Sequence, residues 1–126
     1  MNRKSDSQEP RESTVLRGRR GEDAAARFLE AEGYRIVQKN FRRPTGEVDI
    51  VCERSGRLIF VEVKRWPRMY RSELSIALSG RRRDRAWRTA ECFLQEHPEY
   101  VSHTVRFDVV FVATEGGEIE HIPGAL

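Results

Sequence analysis

The chain has 126 residues, 38% of them apolar and 34% charged, with a formal net charge of +3. That length suits a single domain with a core of its own, without disulfides or a structural metal. It excludes a membrane-spanning helix, because the longest apolar run is Val109-Val110-Phe111-Val112-Ala113, far short of the roughly twenty residues needed.

Residues 1–14 are polar and read as a disordered tail, leaving residues 15–126 as one domain. The tail has no apolar stretch of the kind a signal peptide carries. A first helix is predicted from Gly21 to Glu32, where Ala24, Ala25, Phe28 and Leu29 recur at helical spacing and Gly33 can end it. Tyr34 to Lys39 reads as a short strand, followed by a loop through Pro44 and Gly46.

Glu47 to Glu53 and Leu58 to Lys64 both alternate, and Arg54-Ser55-Gly56-Arg57 between them has the composition of a tight turn. With Ser55-Gly56 as a two-residue loop, Val48 pairs with Val63, Ile50 with Val61 and Cys52 with Ile59, an apolar face throughout. The opposite face then pairs Glu47 with Lys64, Asp49 with Glu62 and Val51 with Phe60. Like charges directly opposed destabilise a sheet. Two facing carboxylates beside a lysine are better suited to holding a hard divalent cation such as Mg²⁺ or Mn²⁺.

Beyond Lys64 lies a basic connection through Trp66, Pro67 and Tyr70, with a helical turn expected at Ser72 to Leu78. The aromatics there suit either base stacking or pinning of the loop. A second helix is predicted from Gly80 to Glu96, ended by His97-Pro98, with Ala86, Ala90, Phe93 and Leu94 as its buried stripe and Trp87 beside it in the core. Thr104 to Ala113 reads as an interior strand, and Glu118 to Ile122 as a short edge strand. Asp108, following Arg106-Phe107, is expected to form a structural ion pair.

The charge is unevenly placed. Between Lys64 and Arg88 nine basic residues face only Glu73 and Asp84, a local charge of +7 that leaves −4 for the rest of the chain. Eight of the nine are arginines, which fork onto phosphates with two donors. Nucleic acid is the simplest partner for such a stretch. Arg81, Arg82 and Arg83 open the second helix, where backbone amides also favour phosphate. Cys52 and Cys92 form no CxxC pair and, with His97, His103 and His121, no zinc spacing, so they read as free thiols of a cytoplasmic protein. No phosphate-binding glycine loop is present.

Asp49 followed by Glu62-Val63-Lys64, in this order of elements, resembles the PD-(D/E)xK nuclease superfamily, which includes Holliday junction resolvases. The segments GRRGEDAAARFLEAEGY, KNFRRPTGEVDIV, FVEVK, RFDVVFV and EHIPGAL are more closely similar to the uncharacterised YraN family of small endonuclease-like proteins. The resemblance implies an α/β restriction-endonuclease-like core, a central mixed sheet flanked by helices in the order α-β-β-β-α-β. It implies that Asp49 and Glu62, with the backbone carbonyl of Val63, bind Mg²⁺ or Mn²⁺, that Lys64 assists the attacking water, and that Glu22 on the first helix adds a carboxylate. Glu47 would stand behind these as a partner rather than a ligand, while Arg65, Arg68, Arg81, Arg82 and Arg83 would bind nucleic acid. The implied activity is metal-dependent hydrolysis of DNA, branched or structured, and a homodimer would supply the two sites that resolvases need. The alternative is a binding module that keeps the fold and the basic surface without cleaving. Where the family often has a lysine opening the second long helix, this chain has the three arginines.

Overall fold

The computed structural model describes residues 14–66, 80–114 and 116–125. The tail through Ser13, Arg68, Tyr70 and the turn expected at Ser72 to Leu78 lie outside the described residues, as do the side chains of Trp66, Arg81 and Arg82.

Helix α1 runs Thr14–Ala31, seven residues earlier than the sequence suggests. Gly18 and Gly21 each cost a helix interior about 1 kcal/mol relative to alanine, which is why they read as a boundary. Gly21 has a packing reason. A Cβ there would lie 2.3 Å from Cδ of Arg65, so this turn of the helix lies against that arginine. The other end closes as expected. Gly33 takes φ +98, its amide bonds Glu30 O at 3.0 Å, and the Tyr34 amide bonds Leu29 O at 3.0 Å, the paired bonds of a glycine-terminated helix.

Five strands follow: β1 (Arg35–Arg43), β2 (Gly46–Arg54), β3 (Arg57–Trp66), then helix α2 (Gly80–Glu96), a 3₁₀ turn at Pro98–Tyr100, β4 (Thr104–Ala113) and β5 (Ile119–Ile122). The sheet order is β1-β2-β3-β4-β5. All neighbours are antiparallel except β3 and β4, which are parallel and joined through α2, as a parallel pair requires. This is the expected mixed α/β architecture, with β5 added at the edge. β1 extends to Arg43, beyond the expected Lys39, because its ladder with β2 continues to Arg43–Gly46.

The helices divide the core between them. Ala25, Ala26 and Leu29 of α1 pack on Ile50, Cys52, Ile59, Val61, Val110 and Val112. Ala90 and Phe93 of α2 pack on Phe41, Val48, Val51, Leu58, Phe60 and Phe107. Phe93 meets Phe41 and Phe60 edge-on, with ring centroids 5.2 and 5.6 Å away. Trp87, expected in the core, is 42% exposed and touches it through Phe107, ring centroids 4.5 Å apart. Cys52 and Cys92 are free. Among the described residues no helix is long and apolar enough to cross a membrane.

Candidate metal centre

The hairpin closes as the sequence predicts. Ser55 (φ 52) and Gly56 (φ 75) form the loop, and Arg54–Arg57, Cys52–Ile59, Val51–Phe60 and Ile50–Val61 face one another across it. Among the described pairs the β2–β3 register ends at Ile50–Val61. Beyond that point the Val63 amide donates instead to Oδ2 of Asp49 at 2.7 Å. A carboxylate thus replaces the backbone acceptor that a continuing ladder would offer.

The reason lies in a local twist of β1 and β2. Val48 packs in the α2-side core with Phe41, whereas Ile50 packs in the α1-side core. Residues two apart on a regular strand share a face, so the expected common face of Val48, Ile50 and Cys52 does not hold. β1 turns over at the same level. Lys39 reaches Asp23 of α1 at 2.9 Å, Phe41 packs beneath α2, and Asn40 between them takes φ 55, a left-handed conformation that asparagine tolerates. Lys39 and Phe41 are the partners of Ile50 and Val48. Asp49 therefore sits where both strands change face.

This changes the partners of the acids. Glu47, expected opposite Lys64, instead pairs with Arg42 at 2.9 Å, its neighbour across β1. Lys64 pairs with Glu62, two residues back on its own strand, at 2.7 Å. Asn40 hydrogen-bonds Glu22 of α1, and the Glu22 carboxyl is raised by burial first, against that hydrogen bond, with Glu47 adding to the rise. Asp49 is pushed up to about 7: burial raises it most, the Val63 amide opposes, and the charges of Glu22, Glu62 and Glu47 raise it further. Asp49, Glu62 and Glu22 are thus brought into one electrostatic neighbourhood with Glu47 at its edge.

Arg65 lies against Gly21 of α1, and Arg83 is exposed on α2. A cavity of about 320 Å³ opens beside the acids, with Glu47, Glu62 and Arg85 in its polar lining and Phe60, Phe107 and Ala86 in its apolar lining. The turn before β2 is fixed to α2 by Thr45 Oγ1 and Thr89 Oγ1, 2.9 Å apart. Asn40 and Arg85 were not singled out from the sequence. Asn40 falls just past the expected end of the first strand, where an asparagine reads as an ordinary loop residue; Arg85 is one basic residue among many.

The donors suit a hard divalent cation in kind, since all are carboxylate or carbonyl oxygens. Burial and three neighbouring acids make the Asp49 carboxylate costly to ionise, and a bound cation would reverse that balance. Among the described residues, no three His, Cys, Asp or Glu side chains already converge as ligands; Glu62 is turned to Lys64 and Asp49 to the Val63 amide.

A family model described as "Uncharacterised protein family UPF0102" matches residues 21–112. The chain is 38% identical to a UPF0102 protein of Azorhizobium caulinodans over 115 residues, 91% of this chain and 86% of that one. It is 36% identical to one from Treponema pallidum (strain Nichols) over 121 residues, 92% of this chain and 95% of that one. A third, from Granulibacter bethesdensis, is 41% identical over 108 residues, 86% and 66% of the two chains.

Proposed function

The chain belongs to the uncharacterised UPF0102 family, the YraN family whose motifs it carries, and we propose that it is a metal-dependent nuclease hydrolysing phosphodiester bonds in branched or otherwise structured DNA. The observation that carries this reading is Asp49: a carboxyl pushed up to about 7, with three acids around it and, among the described residues, the Val63 amide as its hydrogen-bond donor. Such a group, with Glu47 and Glu62 from its surroundings lining the neighbouring cavity, is a functional-site candidate on electrostatic grounds.

Asp49, Glu62 and the Val63 carbonyl would hold Mg²⁺ or Mn²⁺, with Glu22 supplying a carboxylate from α1. The chemistry such a cation would supply is polarisation of a phosphoryl oxygen and activation of water. Lys64, already fixed 2.7 Å from Glu62, places a positive charge where negative charge develops on the phosphate. Glu47 stays with Arg42 and adds negative potential. Arg65 beside α1 and Arg83 on α2, together with Arg68, Arg81 and Arg82, would bind the DNA backbone. Cleaving two strands at a junction calls for two such sites, which a homodimer supplies.

The test is purified protein with Mg²⁺ or Mn²⁺ against linear, nicked, flapped and four-way DNA. Cleavage of the branched forms is expected, lost in Asp49→Asn, Glu62→Gln and Lys64→Ala, because members of a site that acts as a unit are not additive. DNA binding without cleavage in any metal would establish the non-catalytic binding module instead.

A further inference from the structure

We propose a second site, separate from the acids, that binds a phosphate group at the closed end of the hairpin through Arg54, Arg57 and Arg106. Arg54 and Arg57 are direct cross-strand partners flanking the two-residue turn. Like charges so opposed destabilise a hairpin, so two arginines closing this turn need a reason other than stability. Nothing in the turn chemistry calls for them, since the left-handed positions fall on Ser55 and Gly56.

The side chains are aimed at a common space. A cavity of about 290 Å³ is lined by Tyr34, Arg54, Ser55, Arg57, Ile59 and Arg106, so three guanidinium groups face it, that of Arg106 already paired with Asp108. The Arg54 guanidinium lies 5.1 Å above the Tyr34 ring and passes 3.6 Å from where a Cβ on Gly33 would stand. Arg106 is fixed in place: Nε and Nη2 each donate to Asp108 at 2.8 Å, and Nη2 also donates to the Tyr34 hydroxyl at 3.2 Å. The adjacent acid, Glu53, is engaged elsewhere, by Arg35 and His103. An anchored arginine, a second one stacked on an aromatic ring and a third opposite it form a preorganised cationic cup. The forks of Arg54 and Arg57 match phosphate oxygens two at a time, Arg106 can add a donor through Nη1, and the Ser55 hydroxyl adds another.

Five residue steps along β2 separate Arg54 from Asp49, about 17 Å at strand rise, so this site is distinct from the acids. The phosphate could belong to a free phosphate or to the backbone of a nucleic acid. The experiment is done in EDTA, which keeps its outcome independent of the nuclease reading. Inorganic phosphate is titrated by calorimetry and a short single-stranded oligonucleotide by anisotropy, against wild type and the double variant Arg54→Gln, Arg57→Gln. Arg106 is kept because it also holds Asp108.

The expected result is binding of at least one probe, weakened about tenfold or more in the double variant. Loss confined to inorganic phosphate assigns a free-phosphate site. Loss of oligonucleotide affinity, with the logarithmic salt slope flatter by about 0.7 per contact, assigns the nucleic-acid backbone. The ligand-free variant should melt no lower than wild type, as relief of a like-charge pair requires. Absence of binding by both probes, or equal affinity in wild type and variant, overturns the site.

Discussion

Asp49 and Asp108 are the same residue on neighbouring parts of one sheet, and the fold treats them in opposite ways. Asp108 has no exposed surface. Its oxygens accept from Arg106 Nε and Nη2 at 2.8 Å, from His121 Nε2 at 2.6 Å and from the Gly124 amide at 3.0 Å. Burial alone would raise its pKa, yet these donors, His121 and Arg106 foremost, hold it below the ordinary value. Among the described residues Asp49 accepts from the Val63 amide and feels the charges of Glu22, Glu62 and Glu47, so burial and repulsion act together and push it up to about 7. Burial does not decide how an acid behaves; the partners do. A buried acid supplied with every partner is structural, whereas one left among like charges is where a cation would act.

Removing the partners of a buried ion leaves uncompensated charge, so Asp108→Asn should be the most damaging change. It strands Arg106 and His121 and is expected to cost about 3–5 kcal/mol, a melting decrease of more than about 10 °C for a domain of this size. A thermal melt within 2 °C or so of wild type would erase the contrast between the two acids.

Asp49→Asn should move stability the other way. Its folded-state pKa is raised, so between pH about 4 and about 7 the unfolded chain gives up the proton that the folded protein retains. The contribution of Asp49 to stability therefore falls through that window and is least favourable above it. Asparagine carries no such charge and can still accept from the Val63 amide. The variant should match wild type near pH 4 and exceed it by on the order of 2 kcal/mol at pH 8 in EDTA. Asp108 works in the opposite sense: its lowered pKa stabilises the fold above pH about 4 and that contribution is lost on further acidification. Denaturant midpoints against pH read both slopes, and a variant parallel to wild type across pH 4–8 would show Asp49 to be ordinary.

The smallest effect is expected from Arg42→Ala. Its ion pair with Glu47 is exposed on both sides, and such pairs contribute about 0–1 kcal/mol. Stability should barely change, measured by the same melts, while any metal affinity should rise as Glu47 loses its counter-charge. A loss of several kcal/mol would mean that this pair, not the acids, shapes the end of the strand.

The hairpin register from Arg54–Arg57 to Ile50–Val61 was legible because alternation and a two-residue turn admit one pairing with an apolar face. Helix α2 was legible from its apolar stripe and the His97-Pro98 stop. What lay beyond Ile50 was not. The face change depends on a left-handed Asn40 in a neighbouring strand and on a carboxylate replacing a backbone acceptor, neither of which alternation encodes. That error moved Val48 to the other core and gave Glu47 and Lys64 each other as partners, when their real ones are Arg42 and Glu62. The His121–Asp108 contact depends on β5 pairing beside β4, Val110 against His121, a tertiary placement that a single histidine does not announce.

The central claim is that the acids around Asp49 are arranged for a cation, and one measurement addresses it most directly. Wild type and Asp49→Asn are melted at pH 8 in EDTA and in Mn²⁺ at ten times its dissociation constant. Binding only to the folded state should stabilise wild type by about 1.4 kcal/mol, a rise of about 5 °C, and leave the variant nearly unmoved. Equal shifts in the two proteins, or none in wild type at millimolar Mn²⁺, would contradict the claim.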